Sequence, residues 1–324
     1  MNRSWKMCGV NCNSCWLMSL TKYWRQPYYP SSKQNWCWLA KSFEQGNYLV
    51  NCDLSEKQID LEEYRTTYLE GGEASNLAPL LFLHGWTTST APYRESLKFL
   101  CQRYRVIAPD LPGFGKCTHP KCVPDHASYV NCIVSFLQAL NIQKAHIIGH
   151  SGGGAVAIAL AVTMPSFVSS LIISDSTGIP LGTLPKVALG RSIDMVMQTP
   201  KVKLMPMLRF YRALLHNWVF NTQNMIQCTR LALKEDLRPL LPQIKSPTLV
   251  LWGGSDRFIP LQLGYEFSQG IPGARLLIAQ GEHHEWAMFR PEKFVPIIFD
   301  FLSEVEEMET PGIAWKNSSF HRDD

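Results

Sequence analysis

Lys144-Ala-His-Ile-Ile-Gly149-His150-Ser151-Gly152-Gly153-Gly154-Ala-Val-Ala-Ile-Ala159 sets a serine, framed by Gly149 and Gly153, between an apolar strand pattern and an apolar helix pattern. A sharp strand-to-helix turn forces such a serine into a strained backbone conformation. Glycines two before and two after it let the turn close without Cβ clashes. The hydroxyl is then left exposed at the helix start. The backbone N–H of Gly152 follows at a helix N-terminus, whose partial positive charge suits a developing oxyanion. The stretch points to Ser151 as a nucleophile and to Ala145 to Ile148 as a strand buried on both faces.

Outward from this turn, short apolar runs alternate with longer helical patterns from about Asp60 onward, the signature of an α/β domain. Strands are expected near Glu63 to Leu69, Leu80 to Leu83, Arg105 to Pro109, Ala145 to Ile148, Ser169 to Ser174, Thr248 to Trp252 and Arg275 to Ala279. Helices are expected near Pro92 to Arg103, Ala127 to Leu140, Gly152 to Thr163, Leu261 to Gln269 and Lys293 to Glu306. Ala145 to Ser174 lacks Lys, Arg, Asp and Glu, but its glycine cluster, two histidines and Pro165 argue for a buried strand, helix and strand rather than a membrane span. Between Ser176 and Ile244 the alternation stops and helical periodicity takes over, which predicts a helical lid at about 177–244. Met195, Met197, Met205, Met207 and Met225 lie there; methionine fills irregular apolar gaps, so the lid is expected to suit an apolar substrate.

A serine hydroxyl needs an adjacent base, itself held by an acid. Thr248-Leu-Val-Leu-Trp-Gly-Gly-Ser-Asp256 runs from an apolar strand into a glycine turn and an aspartate, and Arg275-Leu-Leu-Ile-Ala-Gln-Gly-Glu-His283-His284 ends the next strand with two histidines. Upstream, His84-Gly85-Trp86 follows an apolar strand, and Asp110-Leu-Pro-Gly113-Phe-Gly115-Lys-Cys117 follows another.

In this order and strand context the four motifs resemble the α/β-hydrolase fold family, serine-nucleophile branch, over about Asp60 to Glu306. The resemblance implies a mostly parallel central sheet flanked by helices. It also implies the triad Ser151, Asp256 and His284, with oxyanion donors at the backbone N–H groups of Trp86 and Gly152. His284 is chosen over His283 because the family's base commonly precedes a Pro-Glu-x-Phe helix start by seven positions, here Pro291. Asp175, at the end of the strand after the elbow helix, is the alternative acid. Cys117 stands where the family's Asp-x-x-Gly-x-Gly-x-Ser turn has serine. The expected reaction is cleavage of a carboxylic ester or related acyl bond (thioester, lactone, acylglycerol) through an acyl-enzyme, with no cofactor and no metal. Two other readings stay open: a carbon-carbon bond hydrolase, and a small-molecule receptor on the same fold with slow or no turnover.

The whole chain has 324 residues and a net charge of +4, but the first 43 residues hold six basic side chains and no acidic one. The body is near neutral, so nothing in it asks for nucleic acid. Residues 1–57 contain five of the ten cysteines and five of the ten tryptophans and read as an extension to a 58–306 hydrolase domain, with 307–324 a polar tail. That extension is the candidate for peripheral membrane contact or organelle targeting. The cysteines are too sparse for a disulfide scaffold, which favours an intracellular, cytoplasmic setting. Cys117, His119, Cys122 and His126 have zinc-ligand chemistry without a recognised zinc spacing; their proximity is read as that of a surface loop.

Overall fold

A computed structural model describes residues 52–62, 64–73, 77–118, 125–199 and 202–309. The strands are β1 Ser55–Asp60, β2 Arg65–Gly71, β3 Leu80–Leu83, β4 Val106–Pro109, β5 Ala145–His150, β6 Val168–Ser174, β7 Thr248–Gly253 and β8 Arg275–Ala279. The helices are α1 Arg94–Leu100, α2 His126–Ala139, α3 Gly152–Thr163, α4 Leu184–Gln198, α5 Leu204–Phe220, α6 Thr222–Lys234, α7 Leu261–Gly270, α8 Trp286–Phe289 and α9 Pro291–Glu309. Short 3-10 turns connect several of them.

All eight strands form one sheet in the order β1-β2-β4-β3-β5-β6-β7-β8. The β1/β2 and β2/β4 pairs are antiparallel and the others parallel. Strands β3, β4, β5, β6 and β7 are buried along their whole length, as their continuous apolar runs require when helices cover both faces. One face packs on Phe136 and Leu137 of α2, Ile158 and Leu160 of α3, and Phe267 of α7. The other packs on Leu97 and Leu100 of α1 and on Phe294 and Leu302 of α9. Each such side chain removed from water stabilises the fold by about 1.5–3 kcal/mol before entropy is counted.

One strand is unexpected and another starts later than expected. β1 begins at Ser55, inside the segment read as an extension, because Ser-Glu-Lys-Gln-Ile-Asp is a mostly exposed antiparallel edge with no apolar run to betray it. β2 starts at Arg65, and Glu63 lies outside the described residues. Cys52 and Cys101 form a disulfide, which ties the chain before β1 to the end of α1. Among the described residues this single bond is a staple rather than a scaffold, yet it departs from the all-thiol chain that a reducing compartment would favour.

The uncharged run Ala145 to Ser174 is β5, α3 and β6, with α3 buried on nearly every side. No helix among the described residues is long and apolar enough to cross a membrane. Helices α4, α5 and α6 all fall between β6 and β7, the interval where the strand alternation stops. Residues 1–51 and 310–324, which hold most of the extension and of the tail, lie outside the described residues.

Candidate active site

In open α/β sheets, ligands bind beyond the carboxyl ends of the parallel strands, and the sequence motifs converge there. Ser151 sits between the end of β5 and the start of α3 with φ 54° and ψ −122°. For a residue with a Cβ this conformation costs about 1–3 kcal/mol and survives only when surroundings impose it. Here the Ser151 N–H donates to the Ser174 carbonyl at 2.9 Å, and the Ser151 carbonyl accepts from Thr177 N at 3.1 Å. A Cβ on Gly149 would collide with the Gly153 carbonyl, and one on Gly153 with the Leu83 carbonyl, so both glycines are sterically required.

His284 lies 3.1 Å by its Nε2 from Ser151 Oγ and 2.8 Å by its Nδ1 from Asp256 Oδ2. The other Asp256 oxygen accepts the backbone N–H groups of Phe258 and Ile259, each at 2.8 Å, which fixes the carboxyl plane. The geometry assigns Nδ1–H to Asp256 and leaves Nε2 free to accept the serine proton. All three side chains are buried. Burial, reinforced by the Arg191 charge and opposed by Asp194, holds the His284 pKa well below its ordinary value, so the resting imidazole is neutral.

Asp175, the rival acid, does not pair with the His284 ring. It lies beneath, with φ 46°, accepting from Gly253 N, Ser174 Oγ and Trp286 Nε1, all at 2.7 Å. Burial, and secondarily Asp256, push its carboxyl well above the usual range. One oxygen each from Asp175 and Asp256 and a ring nitrogen of His284 lie within 4.8 Å of one another, the metal-type grouping found among the described residues. His284 Nδ1 and both carboxyls already have hydrogen-bond partners there.

His150 ties to the loop that carries His284. Its Nε2–H donates to the His284 carbonyl at 2.9 Å, so its Nδ1 accepts from Tyr93 Oη–H at 2.7 Å, and Tyr93 Oη accepts Gly85 N–H at 3.1 Å. This chain links the elbow, the histidine loop and the loop that carries Trp86. The Trp86 indole packs over Gly152, where any Cβ would strike it, so the side chain of one expected oxyanion-donor residue covers the other residue. Thr87, at φ 72°, turns the loop immediately after Trp86. Asp110 of the second motif holds that loop: it accepts from Thr90 N and Thr90 Oγ1, and from Lys116 N, each at 2.9 Å.

Several groups around the triad are not signalled by the sequence motifs. On α4, Asp194 is fully buried and accepts from His283 Nδ1 at 3.0 Å and from the backbone N–H groups of His284 and Arg257 at 3.2 Å each. His283 is thus turned away from the serine. Arg191 pairs with Glu285, and Gln198 donates to the same carboxylate. Arg191, Asp194 and Gln198 fall on one helical stripe, which is the signal available in the sequence, together with Asp194 being the one acidic residue between 177 and 234. On α5, Asn217 donates to the Thr87 and Thr88 carbonyls at 3.0 and 2.7 Å and accepts Gly115 N–H at 3.0 Å. The insertion is thereby bolted to both sides of the site.

The zinc-type residues are only partly visible. Cys117 packs with Tyr64 and Cys132, whereas His126 faces Glu235 at 2.7 Å and the Trp86 ring; His119 and Cys122 lie outside the described residues.

The sequence pattern described as the Alpha/beta hydrolase family matches residues 80–297. The chain is 29% identical over 290 residues to a 2-hydroxy-6-oxo-6-phenylhexa-2,4-dienoate hydrolase of Comamonas testosteroni, covering 80% of this chain and 98% of that one. It is 30% identical over 276 residues to 2-hydroxy-6-oxononadienedioate/2-hydroxy-6-oxononatrienedioate hydrolase 1 of Dechloromonas aromatica, covering 77% and 93%. Among solved structures it resembles a bacterial membrane phospholipase A at a TM-score of 0.68 and 24% identity, covering 90% of this chain and 96% of that one. The enol-lactonase of Burkholderia xenovorans LB400 matches at a TM-score of 0.65 and 22% identity, covering 76% and 100%.

Proposed function

The chain belongs to the alpha/beta hydrolase family, and from that premise we propose that it is a serine hydrolase of carboxylic esters or related acyl bonds. The observation that carries the reading is the continuous line Ser151 Oγ, His284 Nε2, His284 Nδ1, Asp256 Oδ2, with separations of 3.1 and 2.8 Å at its two hydrogen bonds. Ser151 Oγ attacks the carbonyl carbon while its proton passes to His284 Nε2. Asp256 orients the imidazole and stabilises the imidazolium. The amides of Trp86 and Gly152 hold the oxyanion until the tetrahedral adduct expels the alcohol, which takes the proton from His284. Water, deprotonated by the same nitrogen, then attacks the acyl-enzyme and releases the acid.

A second reading, cleavage of a carbon-carbon bond, is favoured by the relatives named above, which are hydrolases of dienoates. Those substrates are carboxylates and call for a cation in the pocket. In this chain Arg191 is the guanidinium whose charge reaches His284 and Asp256, and it is already paired with Glu285, while Asp175, Asp194 and Asp256 add further buried carboxyls. That charge balance supports an uncharged acyl substrate.

The test is a panel of p-nitrophenyl esters graded by acyl length, run beside 2-hydroxy-6-oxo-6-phenylhexa-2,4-dienoate. Ester turnover with the dienoate left intact supports the acyl reading. Faster loss of the dienoate replaces it with the carbon-carbon reading, and fluorophosphonate labelling of Ser151 without turnover of either favours the receptor.

A further inference from the structure

Helix α5 buries Pro206, Phe210, Ala213 and Asn217, spaced as one inward stripe. The opposite stripe, Leu204, Leu208, Tyr211, Leu215 and Trp218, is also apolar, and it is exposed. A surface helix ordinarily turns charged and polar residues to water there. The anomaly extends over the insertion: of fourteen exposed large hydrophobic side chains among the described residues, thirteen lie between Leu184 and Ile226, including Trp218 at 59% and Phe220 at 72% exposure. Such concentrated exposure marks an interaction surface rather than scatter.

Charge says what covers it. Helices α4 to α6, with the Lys203 that precedes α5, carry the exposed cations Lys186, Lys203, Arg212, Arg230 and Lys234, whereas the single acidic residue of these helices, Asp194, is fully buried against the histidine loop. Arg212 sits within the exposed α5 face and Lys203 at its start. A helix with aromatic and aliphatic residues outward and a rim of Lys and Arg matches a bilayer interface, where apolar groups enter the acyl boundary and cations meet anionic headgroups. A second copy of the chain would bring the same cations face to face and would repel.

We propose that the α4–α6 insertion docks this protein on an anionic lipid surface, α5 lying in the interface with its Leu204-to-Trp218 stripe toward the acyl chains. Docking goes beyond the proposed reaction and does not depend on which bond Ser151 cleaves.

The experiment is co-sedimentation of the full chain with pure phosphatidylglycerol and pure phosphatidylcholine vesicles. Three variants accompany it: Leu208→Ser/Leu215→Ser/Trp218→Ser/Phe220→Ser, Lys203→Glu/Arg212→Glu/Arg230→Glu, and Ser151→Ala. The native chain and Ser151→Ala should bind phosphatidylglycerol equally and phosphatidylcholine weakly, with binding weakened by salt. Each surface variant should bind at least about tenfold more weakly, with an unchanged melting temperature and unchanged fluorophosphonate labelling. A native chain that ignores both vesicles overturns the proposal. So does an apolar-face variant that binds like the native chain, which would move the contact to residues 1–51. A native dimer in light scattering that dissociates in that variant, without vesicle binding, assigns the face to a second copy instead.

Discussion

Asp194 Oδ2 accepts the backbone N–H of His284 at 3.2 Å, across 90 residues of sequence and from a helix outside the sheet. The same carboxylate takes His283 Nδ1 and the Arg257 backbone, so one side chain of the insertion sets the position of the loop that presents the base.

Asp194→Ala should therefore act as loss of a positioning residue. The histidine loop loses the acceptor of His283 Nδ1 and His284 N–H, and the Asp256 turn loses the acceptor of Arg257 N–H; kcat should fall by roughly tenfold or more while KM changes little, because misplacing the base by a fraction of an ångström weakens only the transition state. Steady-state kinetics on one ester checks the split. A rise in KM at unchanged kcat would instead make Asp194 a substrate-binding group.

The two acids separate by substitution. Asp256→Asn removes the acceptor that selects the His284 tautomer and should reduce kcat by about 10⁴-fold. Asp175→Asn keeps the His284–Asp256 bond and should reduce kcat far less, while the disturbed bonds to Gly253, Ser174 and Trp286 lower stability by about 1–3 kcal/mol. Equal kinetic losses would reopen the choice of acid.

The acid limb of kcat/KM should lie below the ordinary histidine value of about 6.5. The sign follows from burial: the folded pKa of His284 is lowered, so the neutral base persists as pH falls and is lost only when pH drops through the depressed value. The unfolded chain takes up its proton first, so stability also declines as pH falls from the ordinary histidine range toward the folded pKa. An acid limb above the ordinary value would contradict this.

Cys52→Ser should lower the unfolding free energy by about 2–4 kcal/mol, because the Cys52–Cys101 bond spans 49 residues of chain. Denaturant melts with and without reductant check it. Identical melts would show that the bond does not restrain the folded domain.

What was legible in the sequence was what is contiguous. The elbow announces itself because strand, glycines, serine and helix occupy a single run, and Asp256 and His284 each follow an apolar strand directly. β1 was not legible, since an exposed antiparallel edge needs no apolar alternation and reads as polar coil. Nor were Asp194, Arg191 and Asn217, whose partners lie about 60 to 130 residues away and whose helices look like ordinary surface helices until the chain is folded. His284 was separated from His283 by resemblance to a family spacing; the physical separator is Asp194, which draws the His283 ring off.

The most direct test is kcat of Ser151→Ala on the best ester found for the native chain. A fall of about 10⁴-fold or more is expected, together with loss of fluorophosphonate labelling, in a protein that still folds. Turnover equal to that of the native chain would contradict it.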